Sequence, residues 1–90
     1  MNIFIWDGAK NELLRQTRGV CFEDAVAAIE GGRLLDILEH PDQRAYRGQK
    51  LYIIELNEYA WVVPCAEKED GSWLKTMFPS RKYTRQYLLK

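Results

Sequence analysis

The sequence contains few of the residues that build metal sites or disulfide frameworks. Two cysteines, Cys21 and Cys65, and a single histidine, His40, are present among 90 residues. A structural zinc site uses about four cysteine or histidine ligands, so these three residues are too few to supply one. The cysteines could form one disulfide at most, and a reducing compartment would keep both thiols free. We therefore expect two free, structural thiols, and no metal or cofactor.

Long apolar runs are also missing. No stretch approaches the roughly 20 apolar residues that a helix needs to cross a bilayer. Residues 1–7 contain one short apolar stretch and no basic segment, which is unlike a secretion signal. The sequence therefore favours a cytoplasmic protein with no membrane-spanning segment.

The composition indicates a globular domain. Hydrophobic residues make up 47% of the chain and charged residues 29%, which is close to the average for folded domains and excludes extensive disorder. A chain of 90 residues is too short to build two cores. Residues 1–90 are therefore expected to form one domain.

Charge is balanced overall but unevenly distributed. The chain has 13 basic and 13 acidic residues, yet residues 74–90 contain five basic residues and no acid, so residues 1–73 carry a net charge of −5. The basic residues of this tail are Lys75, Arg81, Lys82, Arg85 and Lys90. Such a tail points to an anionic partner, either RNA or an acidic protein segment. The alternative is that these side chains only keep a terminal helix solvated.

The start of the chain has the pattern of a strand followed by a helix. Residues 2–6 are rich in β-branched and aromatic side chains and predict a strand. Asp7 offers a side-chain oxygen to cap a helix over residues 8–18, and Gly19 is placed to end it. The apolar face of this helix is expected to contain Ala9, Leu13 and Leu14.

A second helix is predicted immediately afterwards, over residues 22–30. Phe22, Val26 and Ile29 recur at the spacing of one helix face. Two acidic residues stand in the first turn, where the helix dipole favours negative charge. The pair Gly31-Gly32 is expected to close the helix.

From residue 33 onward the pattern changes from helix to strand. A polar loop is predicted over residues 39–49, and Asp70-Gly71 is a strong signal for a tight hairpin. Ser80 is placed to cap a final helix. The predicted strands cover residues 33–38, 50–56, 59–67 and 72–78, and the final helix covers residues 81–88.

This order of elements, β-α-α-β-β-β-β-α, predicts an α+β fold. Four consecutive strands joined by short connections form an antiparallel meander. The two N-terminal helices can bury their apolar stripes on one face of that sheet. The C-terminal helix is expected near the other face.

Three short motifs resemble the BrnT family of bacterial toxins, which belongs to the RelE/ParE superfamily of type II toxin–antitoxin systems. They are Trp6-Asp7-x-x-Lys10-Asn11, Gly19-x-x-Phe22-Glu23-Asp24-Ala25 and Ser80-Arg81-Lys82-Tyr83-Thr84. The resemblance implies two N-terminal helices packed on a four- or five-stranded, mainly antiparallel sheet, with a short C-terminal helix. It also implies a metal-independent endoribonuclease that cleaves mRNA, free or on the ribosome, and is neutralised by an antitoxin protein.

Such cleavage needs cations for the phosphate and groups that transfer protons. Arg81 and Lys82 match the family's terminal motif, and Arg85 follows Arg81 by one helical turn, so the resemblance assigns these residues to phosphate or partner binding. Lys10 matches the family's early lysine and is a candidate general acid. The alternative for Lys10 is an ion pair, either on the helix surface or with Asp7.

The general base is open at this stage. His40 is the only side chain with an unperturbed pKa near neutrality, and it lies in the longest polar loop. Asp36 and Glu39 are the carboxylate alternatives. Tyr83 and Tyr87, four residues apart on the final helix, are candidates for stacking on RNA bases. The cysteines have no visible acid–base partner, so no nucleophilic role is expected for them.

Two other functions remain as alternatives. One is a non-catalytic module that keeps the toxin fold and only binds a protein partner. The other is a housekeeping domain, a homodimer with no role at nucleic acids. The neutral overall charge favours these two alternatives, and the basic terminal motif favours the ribonuclease.

Overall fold

Three helices and six strands form the part of the chain that the computed structural model describes, residues 3–89. The helices are α1 (Gly8–Arg18), α2 (Phe22–Glu30) and α3 (Arg81–Tyr87). The strands are β1 (Phe4–Ile5), β2 (Leu34–Glu39), β3 (Gln49–Leu56), β4 (Tyr59–Lys68), β5 (Gly71–Leu74) and β6 (Phe78–Pro79). Asn2 of the predicted first strand and Lys90 of the basic tail lie outside the described residues. No helix within residues 3–89 is both long and apolar enough to span a membrane.

The sheet confirms the predicted meander and adds two short strands to it. Strands β2 to β5 run antiparallel in sequence order, and the full order across the sheet is β1-β5-β4-β3-β2. β1 lies at the outer edge, parallel to β5, with Phe4 opposite Ser72. β6 pairs with β4 on the same side as β5. The fold is thus α+β with a mixed, mainly antiparallel sheet.

The two N-terminal helices begin and end where the sequence predicts. The Asp7 carboxylate accepts the backbone N–H of Ala9 at 2.9 Å, and Gly19 ends α1 in the left-handed conformation with φ 69°. At the start of α2 the Cys21 backbone N–H donates to the Asp24 carboxylate at 3.0 Å. These local bonds satisfy polar groups that a helix end leaves without partners.

The predicted apolar face of α1 is wrong in two of its three residues. Leu14 is buried, but Ala9 is exposed and Leu13 is 49% exposed. Asn11 is buried instead, because its amide fills a polar gap between α1 and α2. A search for apolar side chains at helical spacing could not identify a buried amide.

Side chains pack on both faces of the sheet. α1 and α2 cover one face, where the largest fully buried side chains include Phe22, Leu14 and Met77. α3 covers part of the other face, where a smaller cluster contains Leu51, Ile53, Ala60 and Val62. The predicted placement of the helices on opposite faces is confirmed.

The predicted last strand, 72–78, is in fact two strands. β5 ends at Leu74, and β6 begins only at Phe78. Between them the Met77 side chain is fully buried beneath the helices, and its carbonyl accepts a hydrogen bond from the Arg18 guanidinium instead of continuing the ladder. Pro79, the residue after the predicted strand, lies within β6 opposite Trp61.

Candidate nucleic-acid interface

The start of α3 is fixed to the sheet by a set of short hydrogen bonds. The Ser80 hydroxyl accepts the N–H of Tyr83 at 3.1 Å and so caps the helix. The buried Thr84 hydroxyl accepts the N–H of Ala60 at 2.8 Å and donates to the Ser80 carbonyl at 2.7 Å. The Ser80 N–H in turn donates to the Ala60 carbonyl. The helix is therefore held in place by β4 at its N-terminal end.

The helix presents three cationic side chains to solvent. Arg81, Lys82 and Arg85 are exposed, and among residues 3–89 no carboxylate oxygen lies within 4.0 Å of their charged nitrogens. The ion pairs in this part of the chain involve Arg15 instead. The Lys82 ammonium lies 5.2 Å from the centre of the Tyr83 ring. This surface is thus anchored to the sheet and, within residues 3–89, has no carboxylate counter-ion, which leaves its cations available to an anion.

The two tyrosines of α3 are half-buried. Tyr83 and Tyr87 pack against the small core cluster under the helix, with their ring centres 6.1 Å apart. The Tyr87 hydroxyl donates to the Asp36 carboxylate at 2.6 Å. This hydrogen bond, helped by desolvation, raises the pKa of Tyr87 to about 12. Both rings serve mainly to dock α3, and Asp36 is occupied by one of them.

His40 is held in an ordered loop. Its backbone N–H donates to the Gln49 carbonyl at 3.1 Å, and its ring stacks on Tyr46 with the ring centres 4.1 Å apart. Its Nδ1 accepts the N–H of Asp42 at 3.1 Å. The neutral ring therefore carries its proton on Nε2.

The structure does not bring His40 to the cationic residues of α3. His40 bonds to Gln49, at one end of β3, whereas α3 is anchored at Ala60, which pairs with Glu55 near the other end. The six-residue step from Gln49 to Glu55 corresponds to about 20 Å along the strand. Glu39 pairs with Lys50 and lies at the same distant end. Neither group is positioned beside a phosphate bound at α3.

Lys10 is half-buried in the first turn of α1 and belongs to a different surface. It lines a cleft together with Asp7, Trp73, Leu74 and Lys75. No carboxylate of the described residues lies within 4.0 Å of its ammonium group, so the alternative of an ion pair with Asp7 is not what the structure shows. Sequence reasoning missed the cleft, because β1 brings the start of α1 next to β5 only in the folded sheet.

The three motifs divide into residues that build the fold and residues that do not. Trp6 packs on Phe22, Asp7 and Ser80 cap helices, and Thr84 fixes α3. A second group also builds the fold: Asn11, Gly19, Asp24 and Ala25. The cationic residues of the motifs have no such role. These are Lys10, Arg81 and Lys82, and they remain the strongest functional candidates.

The thiols are poor candidates for chemistry. Cys21 and Cys65 are both buried and free. Burial raises the pKa of Cys21 and raises that of Cys65 to about 11, which disfavours the nucleophilic thiolate. Within residues 3–89 no three His, Cys, Asp or Glu side chains are grouped closely enough to hold a metal ion.

Comparison with known proteins gives no assignment. No protein-family model, curated protein or solved structure matches the chain. The cationic surface and the three motifs are therefore the features that indicate a function.

Proposed function

We propose that the chain is a BrnT-like toxin of the RelE/ParE type, a metal-independent endoribonuclease that acts on mRNA and is neutralised by an antitoxin. One observation carries the proposal. Arg81, Lys82 and Arg85 stand exposed on an anchored helix, without carboxylate partners among the described residues. The order of the helices and strands agrees with what the resemblance implies for the fold.

In this proposal Arg81 and Lys82 bind the scissile phosphate. The planar guanidinium group of an arginine can donate two parallel hydrogen bonds to a phosphate, and a lysine adds a mobile point charge. Both stabilise the negative charge that develops on the phosphate as the RNA 2′-oxygen bonds to phosphorus and the bond from phosphorus to the 5′-oxygen breaks. Solvent water takes the 2′-proton and supplies a proton to the departing 5′-oxygen. His40 lies about 20 Å away along β3 and is therefore not placed to act at this phosphate.

The same surface is the proposed docking site for the antitoxin. An acidic segment that covers Arg81 and Arg85 would neutralise the cations and block access of RNA at once. Charge reversal by Arg81→Glu should then weaken the complex with the antitoxin and make its dependence on salt shallower.

One observation favours a second function, a non-catalytic module that binds an anionic partner. None of the three candidate bases reaches the cationic side chains, since Asp36 bonds to Tyr87 while Glu39 and His40 lie at the far end of β3. A surface with cations and no base can bind RNA or an acidic protein without cleaving anything.

Growth arrest after induction, measured beside cleavage of free and ribosome-bound RNA, separates the two functions. For the ribonuclease we expect Arg81→Ala and Lys82→Ala to slow cleavage by about 10²–10³-fold, the usual effect of removing one charge contact to a transition state. Arg47→Ala, an exposed loop arginine, is the matched control, and it should keep full activity, as should His40→Ala. Melting temperatures confirm that each variant is folded. A wild-type chain that neither arrests growth nor cleaves RNA would leave the binding module as the function.

A further inference from the structure

The cleft beside the start of α1 combines an aromatic residue with lysines, and none of its lining residues belongs to the proposed phosphate site on α3. Its volume is about 340 Å³, and its lining includes the indole of Trp73 and two lysines, Lys10 and Lys75. Trp73 is half-exposed, and the Lys68 ammonium lies 5.4 Å from the centre of its ring. An aromatic surface is thus surrounded by three cations from three different segments.

The cleft is lined by two lysines and one acid, Asp7, so its cations outnumber its carboxylates. The Asp7 carboxylate accepts the N–H of Ala9, and the nearby Asp70 carboxylate accepts the indole N–H of Trp73 at 2.9 Å, and both keep their negative charge. Lys10 and Lys75, in contrast, have no carboxylate within 4.0 Å among residues 3–89. The carboxylates therefore fix the helix and the indole, and the ammonium groups remain available to an anion.

Trp73 of the cleft lies on the same face of the sheet as α3. Trp73 pairs with Ala66, which faces the same side of the sheet as Ala60 beneath α3, because side chains alternate along a strand. The Lys75 N–H donates to the Pro64 carbonyl, and the Ser80 N–H donates to the Ala60 carbonyl. These two anchor points are four residues apart on β4, or about 13 Å. Lys75 and the start of α3 are therefore anchored along the same edge of β4.

We infer that this cleft binds an unpaired nucleotide of a single-stranded nucleic acid, with the base stacked on Trp73 and a phosphate held by Lys10 and Lys75. The inference rests on the proposed function and adds to it a separate subsite for one unpaired nucleotide of the strand. Aromatic rings beside a cationic groove are the usual means by which proteins hold such strands. An acidic peptide would satisfy the lysines but would leave the indole without a stacking partner.

Binding of a fluorescent deoxyadenylate hexamer tests the inference apart from cleavage, since a strand without 2′-hydroxyls cannot be cut by attack of that group. Trp73→Ala should weaken binding by roughly 5- to 150-fold, the range for loss of one stacked base, and Trp73→Phe should weaken it less. Lys10→Ala and Lys75→Ala should each lower the salt dependence by about 0.7 in the slope of log affinity against log salt. Arg44→Ala, an exposed residue of the loop between β2 and β3, is the control and should bind as wild type does.

A second measurement does not depend on the folding of a variant. A hexamer that carries 5-bromodeoxyuridine, irradiated on the wild-type chain, should form its crosslink at Trp73. A crosslink confined to other residues would overturn the inference. Displacement of the strand by a hexaglutamate peptide as effectively as by an unlabelled hexamer would also overturn it, because the ligand would then be an acidic protein segment. Absence of any binding of the hexamer at low salt would overturn it as well.

The outcomes distinguish this inference from the proposed function. If Arg81→Ala weakens binding while Trp73→Ala binds as wild type does, the cleft is not a stacking site and the phosphate site on α3 stands. If binding needs Trp73 and the wild-type chain neither cleaves RNA nor arrests growth, the cleft binds a strand and the ribonuclease assignment falls.

Discussion

At the scale of single residues, Asn11 is the clearest link between sequence and architecture. Its side-chain amide is buried and donates to the Glu23 carboxylate at 2.7 Å, while its oxygen accepts the N–H of Phe22, also at 2.7 Å. The first of these bonds is the main reason that the pKa of Glu23 is lowered. One side chain of α1 thereby satisfies the first backbone N–H of α2 and fixes the angle between the helices.

Replacement of Asn11 by alanine should therefore be costly. Asn11→Ala leaves the Phe22 N–H buried without a partner, and we expect the free energy of unfolding to fall by about 1–3 kcal/mol. The pKa of Glu23 should rise in the variant, since its principal hydrogen bond is lost. Urea denaturation measures the first effect, and NMR titration of Glu23 measures the second. Gln16→Ala, an exposed change on the same helix, should leave both quantities near their wild-type values, and an equal loss in both variants would contradict this role for Asn11.

At the scale of elements, the docking of α3 depends on a few side chains because the helix has only seven residues. Thr84 and Ser80 hold its first turn on β4, and Tyr87 ties its last turn to Asp36 on β2. So short a helix is not stable alone in water, so these contacts decide whether the cationic surface exists at all.

The hydrogen bond from Tyr87 makes this docking dependent on pH. The bond requires the protonated phenol, and it raises the pKa of Tyr87 from its ordinary value of 10 to about 12 in the folded chain. A raised pKa means that the contribution to stability is complete below pH 10 and is lost as pH rises toward 12. Tyr87→Phe should thus lower stability at pH 7 by about 0.5–1.5 kcal/mol, a modest value because water screens this partly exposed bond.

Thermal melts of wild type and Tyr87→Phe between pH 7 and 12 measure this dependence. The difference between the two proteins should shrink above pH 10 and disappear near pH 12. Burial raises the pKa of Tyr52 to a similar value, but Tyr52 is present in both proteins, so the difference isolates Tyr87. Tyr83→Phe is the control, since no hydrogen bond of the Tyr83 hydroxyl is seen within residues 3–89. A difference that stays constant up to pH 12 would show that the hydrogen bond does not contribute.

Elements that are fixed by contacts between neighbouring residues were predictable from the sequence. Features that are fixed by contacts between distant segments were not. Asp7 and Gly19 mark both ends of α1 through short-range bonds, and the prediction of that helix over 8–18 is confirmed. The last strand is split where Met77 is buried beneath the helices and its carbonyl accepts a hydrogen bond from Arg18, 59 residues away in the sequence. The burial of Asn11 depends on a neighbour 11 residues along the chain. No pattern within one segment contains this information.

The same distinction applies to the candidate site. The exposure of Arg81 and Lys82 followed from their place in a capped amphipathic helix, and the structure shows it. His40 could act with Arg81 and Lys82 only if the fold placed it beside them, and the sequence does not give that distance. In the structure the length of β3 separates His40 from both residues. Trp73 lines the cleft with Lys10 because β1 lies parallel to β5, and no pattern within either segment predicts this contact.

At the scale of the whole molecule, the net charge is zero, but the basic and acidic side chains are unevenly distributed. The formal net charge is zero and the isoelectric point is about 6.6, so at neutral pH there is no overall attraction to a polyanion. Exposed cations nevertheless stand together on α3, while Arg44 and Arg47 lie in the loop beyond the opposite end of β3. Salt at physiological strength screens charges over roughly 8 Å, so the two groups act on a bound anion independently. Binding should therefore depend on which group is changed and not on the total charge.

Two variants of equal net charge test this directly on immobilised heparin at pH 7. The double change Arg81→Glu with Arg85→Glu and the double change Arg44→Glu with Arg47→Glu each shift the charge by −4. We expect the wild-type chain to be retained at low salt, the first variant to lose most of this retention, and the second to elute close to wild type, because only the first removes the anion-binding surface on α3. Circular dichroism verifies that both variants are folded. Equal loss of retention in the two variants would mean that total charge governs binding, and the cationic face of α3 would then have no special role.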